Sequence, residues 1–271
     1  MNDLPISLVV SIVGTVVTGV FTFLVFRRWL EKRREGKSAP HLLAWSIGLT
    51  MYFLGMLSQI VLYFAWSPFF FALWYWSGGL MVAAWLCQGT LYLMLRKGNI
   101  ARNVQMVLIL VSLMTLPMTF MTQFRSENWH LHSDMTQIYR DVTQGEGDQK
   151  LIVTPGIFPS ETRGTVRFFS PIMNIWGTIA LVGGAIYSAV LFRRKQIMRD
   201  RMLGNLLIAA GGLFPAFGGA LIRLGDPSFK YIGELTGAVL IFIGFMMASR
   251  AVDEVREAAE LRKHSTQAAG D

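Results

Sequence analysis

An all-α, polytopic membrane fold with seven transmembrane helices follows from three features of the sequence. These are seven long apolar stretches, basic residues gathered into alternate connections, and matching markers around the first and fifth stretches. Of the 271 residues, 53% are hydrophobic, and the mean hydropathy is +0.44, a balance that excludes a water-soluble domain. A hydrocarbon core about 30 Å thick takes about 20 apolar residues per helix. The stretches Pro5–Phe26, His41–Tyr63, Phe69–Leu95, Val104–Thr122, Phe168–Phe192, Leu203–Ile222 and Tyr231–Ser249 meet that length. Barrel strands would alternate in polarity, and only helices or closed barrels satisfy the backbone inside lipid. Helices are expected throughout.

The first stretch carries Asp3 ahead of it and arginines behind it, the reverse of a cleavable signal peptide. Arg27, Arg28, Lys32, Arg33, Arg34 and Lys37 follow span one, and Arg96, Lys97 and Arg102 separate spans three and four. Arg193, Arg194, Lys195, Arg199 and Arg201 separate spans five and six, and Arg250, Arg256, Arg262 and Lys263 follow span seven. With seven crossings these segments share one side. Positively charged connections face the cytoplasm, which predicts an outside N-terminus and a cytosolic C-terminus in a bacterial inner (plasma) membrane. The net charge of +8 is then a topology signal suited to an anionic leaflet, not a nucleic-acid footprint. The single cysteine, Cys87, lies within span three, reads as a small buried residue and excludes an intrachain disulfide.

Spans one and five read as copies. Leu4-Pro5-Ile6 and Phe26-Arg27-Arg28 bound the first, and Ser170-Pro171-Ile172 and Phe192-Arg193-Arg194 bound the other at the same interval. In this register Gly14, Thr18 and Thr22 face Ala180, Gly184 and Ser188, two small-residue stripes of the kind that let membrane helices approach closely. Leu42-Leu43-Ala44 of span two parallels Leu206-Leu207-Ile208-Ala209 of span six, and Ser77-Gly78 of span three parallels Thr236-Gly237 of span seven. The expected organisation is a three-helix repeat (1–97), an inverting linker helix (98–122), an extracellular loop (123–167), a second three-helix repeat (168–250) and a cytosolic tail (251–271). Parallel repeats put a binding site at the repeat interface.

The three-plus-one-plus-three plan resembles the superfamily of SWEET and PQ-loop transporters and microbial rhodopsins in topology. The motifs of those groups are absent: no Pro-Gln pair occurs, and Gly237 to Ala248 holds no lysine to carry retinal. No activity is carried over. His41-Leu42-Leu43-Ala44-Trp45 and Arg223-Leu224-Gly225 also resemble segments of bacterial multi-pass proteins of uncharacterised function, which again implies no activity.

Ionisable residues inside a span are candidates for function, and Glu234, about one turn into span seven, is the clearest. Arg223 ends span six on the same side, so the two either pair across the Gly225-Asp226-Pro227 turn or line an extracellular vestibule; proton coupling through Glu234 is a third role. Trp85, Gln88 and Tyr92 share one face of span three, and Asn174 and Thr178 share one face of span five. Converging, these faces make a pocket for a neutral polar or lipid-like ligand; otherwise they serve hydrogen bonding between helices. Trp74, Tyr75 and Trp76 read as aromatic-belt anchors. Pro215, among glycines in span six, is the expected kink and hinge.

His41, His130, His132 and His264 all lie outside the span interiors, so no haem or other cofactor is expected, and His130-x-His132 with Asp134 does not make a metal site. No phosphate loop or nucleophile elbow occurs, so no enzyme is expected. The outer loop is expected to hold a helix over Met135–Val142 and then a turn-rich stretch, Thr143 to Asp148. Two readings of function result. One is a protein that binds or transports a small neutral or lipid-like molecule between the repeats; the other is a receptor-like or accessory subunit that contacts a membrane-protein partner.

Overall fold

The computed structural model describes residues 6–95, 98–144, 151–159, 166–194, 199–221 and 229–248. Its helices are α1 (Ile6–Arg34), α2 (Pro40–Phe64), α3 (Pro68–Met94), α4 (Ile100–Phe120), the short α5 (Met135–Ile138), α6 (Val166–Arg194), α7 (Arg199–Leu221) and α8 (Phe229–Ala248). Six of them, α1, α2, α3, α4, α6 and α8, are long and apolar enough to cross a bilayer, and α7 adds a shorter apolar stretch, Met202–Pro215. The chain is a helical membrane protein. The cytosolic tail expected at 251–271 lies outside the described residues, as do Arg223 and the Gly225-Asp226-Pro227 turn.

Helix α1 shows how polar residues enter such a helix. Ser11, Thr15, Thr18 and Thr22 each donate to a carbonyl four residues back, at 2.7–2.8 Å. The hydroxyls of this stripe are therefore satisfied without a partner helix, and Gly14 is left to receive the Met56 side chain of α2.

Close backbone approach sets the helix neighbours. A Cβ at Gly55 would stand 3.1 Å from the Gly78 Cα, joining α2 to α3. One at Gly177 would stand 2.5 Å from the Ala83 carbonyl carbon, joining α6 to α3. Gly211 and Gly237 seat α7 on α8, where a Cβ on either would lie 2.7 Å from the other's carbonyl oxygen. The bundle closes through α1 and α8, where the Phe21 ring lies 5.0 Å from Phe242 and 5.5 Å from Phe245. Helix α4 stands outside α3 with Met106, Val107, Leu110 and Leu113 exposed, as suits a lipid-facing surface.

The segment after α4 departs from the expected all-α plan. Helix α5 ends at Ile138 instead of continuing to Val142, and strands β1 (Val142–Gln144) and β2 (Leu151–Thr154) form an antiparallel hairpin. The cause is competition for backbone groups. Ile157 and Phe158 N–H groups donate to the Ile138 and Tyr139 carbonyls at 2.9 Å, and Asp141 accepts from the Gly156 N–H at 2.8 Å. The returning chain thus takes the carbonyls that another helical turn would use. Trp129 and His132 then tie the segment to the end of α2, donating to the Leu62 and Tyr63 carbonyls at 3.0 and 3.1 Å. His132 adopts φ 65° and packs its ring 4.9 Å from Tyr63; its role is anchoring.

The glycine contacts yield a direct test. Gly211→Val should lower stability by about 1–3 kcal/mol through overpacking, whereas Gly183→Ala, with nothing within 4 Å of its Cβ position, should leave it unchanged. Thermal unfolding in detergent measures both.

Candidate ligand-binding cavity

The helices enclose a cavity of about 340 Å³, within the range of about 300–1,000 Å³ common for small-molecule sites. Five helices contribute: α2 through Tyr52, Met56 and Gln59, α3 through Trp74, Gly78 and Leu86, and α6 through Asn174, Thr178 and Leu181. Gly212 and Pro215 of α7 and Lys230, Glu234 and Ile241 of α8 complete the wall.

The α3 wall owes its shape to an irregularity. Between Pro68–Leu73 and Val82–Met94 the helix widens into π-helical turns over Trp74–Met81. Such segments occur where helices carry function, and here Ser77-Gly78-Gly79 has no bulk to oppose α2. The Gly79 carbonyl accepts from Ser170 Oγ at 2.7 Å and Asn174 Nδ2 at 2.8 Å, which fixes α6 against the widened turns. With Nδ2 also donating to the Ser170 carbonyl, Asn174 has Oδ1 left as its free group.

Polar groups gather at the end of the cavity nearest the α4–α6 connection. Lys230 Nζ lies 3.3 Å from Glu234 Oε1, and the Gln59 amide donates to Glu234 Oε2, also at 3.3 Å. Tyr52 donates its hydroxyl to the Glu234 backbone carbonyl at 2.7 Å. The Lys230 ammonium sits 5.4 Å over the Trp74 ring and 5.1 Å from that of Tyr231. It is shielded from solvent, and its contact with Glu234 lacks hydrogen-bond geometry, so its donors are unused. The opposite end of the cavity is apolar, floored by Leu86, Leu181 and Ile241. The same three side chains roof a second, much smaller apolar cavity lined by Phe21, Val25, Trp45 and Phe245.

The structure brings Asn174, Thr178, Glu234 and Pro215 to one cavity. It does not bring Trp85, Gln88 and Tyr92 there. That face of α3 turns to α4: Trp85 donates to Ser112 at 3.1 Å, Gln88 to the Ala101 carbonyl at 2.7 Å, and the Tyr92 hydroxyl to Gln105. That face meets the stripe of α4 that carries Ala101, Gln105 and Ser112, which supplies an acceptor to each of the three. Arg223 lies outside the described residues, and Glu234 has Lys230 and Gln59 beside it instead. Helix α7 runs unbroken through Pro215, whose ring packs beside Gly237.

Trp74 and Tyr75 are not belt anchors. Both are buried, Trp74 against Tyr139 and Tyr75 against Phe158 of the α4–α6 segment, and Trp76 donates to Thr115 at 3.2 Å. Tyr52, Gln59, Trp74 and Lys230 belong to the site although spacing gave no reason to join them. Among the described residues, no three His, Cys, Asp or Glu side chains converge as metal ligands.

Comparison with known protein families matches no family model, and comparison with curated proteins finds no match. Fold and site together define a helical membrane protein with an amphipathic internal cavity.

The reassigned face is testable. Trp85→Phe removes one interhelical hydrogen bond, a contact worth about 0.6 kcal/mol on average in membranes. It should lower thermal stability slightly and leave occupancy of the cavity by any ligand unaltered, as read by equilibrium binding.

Proposed function

We propose that the protein binds a small, net-neutral or lipid-like molecule in this cavity and carries it across the bilayer between two three-helix halves, α1–α3 and α6–α8. The observation that carries the reading is the cavity itself. It lies between the halves, polar at one end and closed at the other by Leu86, Leu181 and Ile241. A site at the interface of two repeats is the arrangement alternating access uses.

The helix contacts support a repeat. Gly55 meets Gly78 in the first half, and Gly211 meets Gly237 in the second. Gly78 and Gly237 are the residues that match when span three is set against span seven. The double-leucine match sets Gly55 against Gly219 and not Gly211, so the likeness of the two contacts holds for spans three and seven and does not extend to the register of spans two and six. On this reading the basic connections face the cytosol of a bacterial inner membrane, α4 is the inverting helix, and Pro215 is the hinge.

Proteoliposome uptake tests the proposal with a panel of sugars, amino acids and single-chain lipids. Leu86→Trp fills the floor of the cavity and should abolish uptake of whichever panel member the native protein carries, while Pro215→Ala should slow uptake. If no panel member binds or crosses, the reading is lost.

A further inference from the structure

The groups left unused in the cavity define what its occupant must supply. Lys230 Nζ is a buried ammonium whose ion pair with Glu234 and contacts with the Trp74 and Tyr231 rings leave its donors without a hydrogen bond, and buried donors left unpaired are costly. Beside it Glu234 offers carboxylate oxygens, and Asn174 offers Oδ1. Donors and acceptors of full opposite charge therefore stand a few ångströms apart, at one end only, above a floor of Leu86, Leu181 and Ile241. Lys230 and Glu234 are the two charged side chains of the wall among the described residues, and their charges cancel.

Each competing class of ligand fails on one of these points. A simple anion would draw Lys230 away and strand the Glu234 carboxylate in a low-dielectric site; a simple cation would strand Lys230. Breaking a buried pair from one side is strongly unfavourable. A sugar needs polar partners around its whole rim, and the apolar floor would leave hydroxyls unpaired. We infer that the occupant is a zwitterion with an apolar tail. Its anionic group is received by Lys230, its ammonium by Glu234 and Asn174 Oδ1, and its tail rests on Leu86, Leu181 and Ile241. This rests on reading the cavity as a binding site. The shared chemistry has two sources, a free amino acid with an aliphatic or aromatic side chain and a zwitterionic single-chain lipid. At about 340 Å³ the cavity takes the amino acid whole and a lysolipid by its headgroup and the first part of its chain.

The test is equilibrium binding to the purified full-length protein, in a detergent lacking charged groups. The probes are leucine, phenylalanine, lysophosphatidylethanolamine and glucose, with 3-methylbutylamine and 4-methylpentanoate as leucine analogues that each lack one charge. A zwitterionic probe should bind about 10- to 100-fold tighter than the analogues lacking either charge, the range expected for one charge-assisted hydrogen-bonding group. Lys230→Met should erase the advantage over the amine, and Glu234→Gln the advantage over the carboxylate. Leucine or phenylalanine binding alone identifies the free amino acid, and lysolipid binding alone identifies the lipid; either supports the inference. The analogue series on the native chain stands even where a variant fails to fold. Glucose or one singly charged analogue binding as tightly as the zwitterions, with that binding lost in Leu86→Trp, overturns the zwitterion and keeps the cavity. Binding of no probe, or binding indifferent to Leu86→Trp, overturns the cavity reading itself.

Discussion

Close backbone contact at a few glycines is the constraint on which the rest of this structure depends. Lipid tails are as apolar as leucine, so helices in a bilayer gain little by hiding side chains from their surroundings. What holds them is contact that only small residues allow. Gly55 and Gly78, Gly177 and Ala83, and Gly211 and Gly237 bring three pairs of helices to backbone distance. Larger side chains elsewhere hold the same helices apart. A cavity is the geometric remainder, bounded by Trp74 and Met56 toward one end and by Leu86, Leu181 and Ile241 toward the other.

Within that frame the charged pair is the costly feature. An ionised side chain costs most at a helix centre, and Lys230 and Glu234 stand in the first two turns of α8. Lys230 and Glu234 reduce the cost by lying one helical turn apart on α8, with Trp74 under the ammonium and Gln59 on the carboxylate. Gln59 also extends the network to α1, accepting weakly from Ser11 at 3.5 Å. Tyr231 next to the pair donates to Asp134 at 2.5 Å. That bond connects the α4–α6 segment to the helix bearing both charges, so the connection and the polar end of the cavity form one continuous set of contacts.

Much of this was legible in residue order, and the part that was not has a physical reason. Apolar length gave each helix, because a bilayer demands it. Glu234, Asn174 and Thr178 were found because a polar group in a span needs a cause. Trp85, Gln88 and Tyr92 make the hydrogen bonds between helices that their face also allowed, because helical spacing tells which residues share a face and not which neighbour that face meets. Trp74 differs from its expected role because a place near the end of a span suggests an interfacial anchor, whereas Tyr139 of the α4–α6 segment and Lys230 of α8 pack over it in the tertiary fold. The hairpin Val142–Gln144 with Leu151–Thr154 depends on carbonyls claimed by Ile157 and Phe158, a tertiary event with no local signal.

The floor shared by the two cavities bears on what any passage would require. Leu86, Leu181 and Ile241 come from α3, α6 and α8, so no single helix controls it. Leu86 is held from behind, since its carbonyl accepts from Trp45 Nε1 at 3.0 Å and its side chain backs onto Gly48. Ile241 is placed differently: its side chain and backbone face Gly211, on a helix whose other close contacts to α8 are also at glycines, Gly204 and Gly244. Ile241 fits the notch at Gly211 and Ile208 the notch at Gly244, so the α7–α8 contact interlocks at its glycines and holds Ile241 in register with Lys230 and Glu234 on the same helix. Of the three floor residues Ile241 alone shares a helix with the charged pair, so displacing α8 would shift one part of the barrier and leave Leu86 and Leu181 in place.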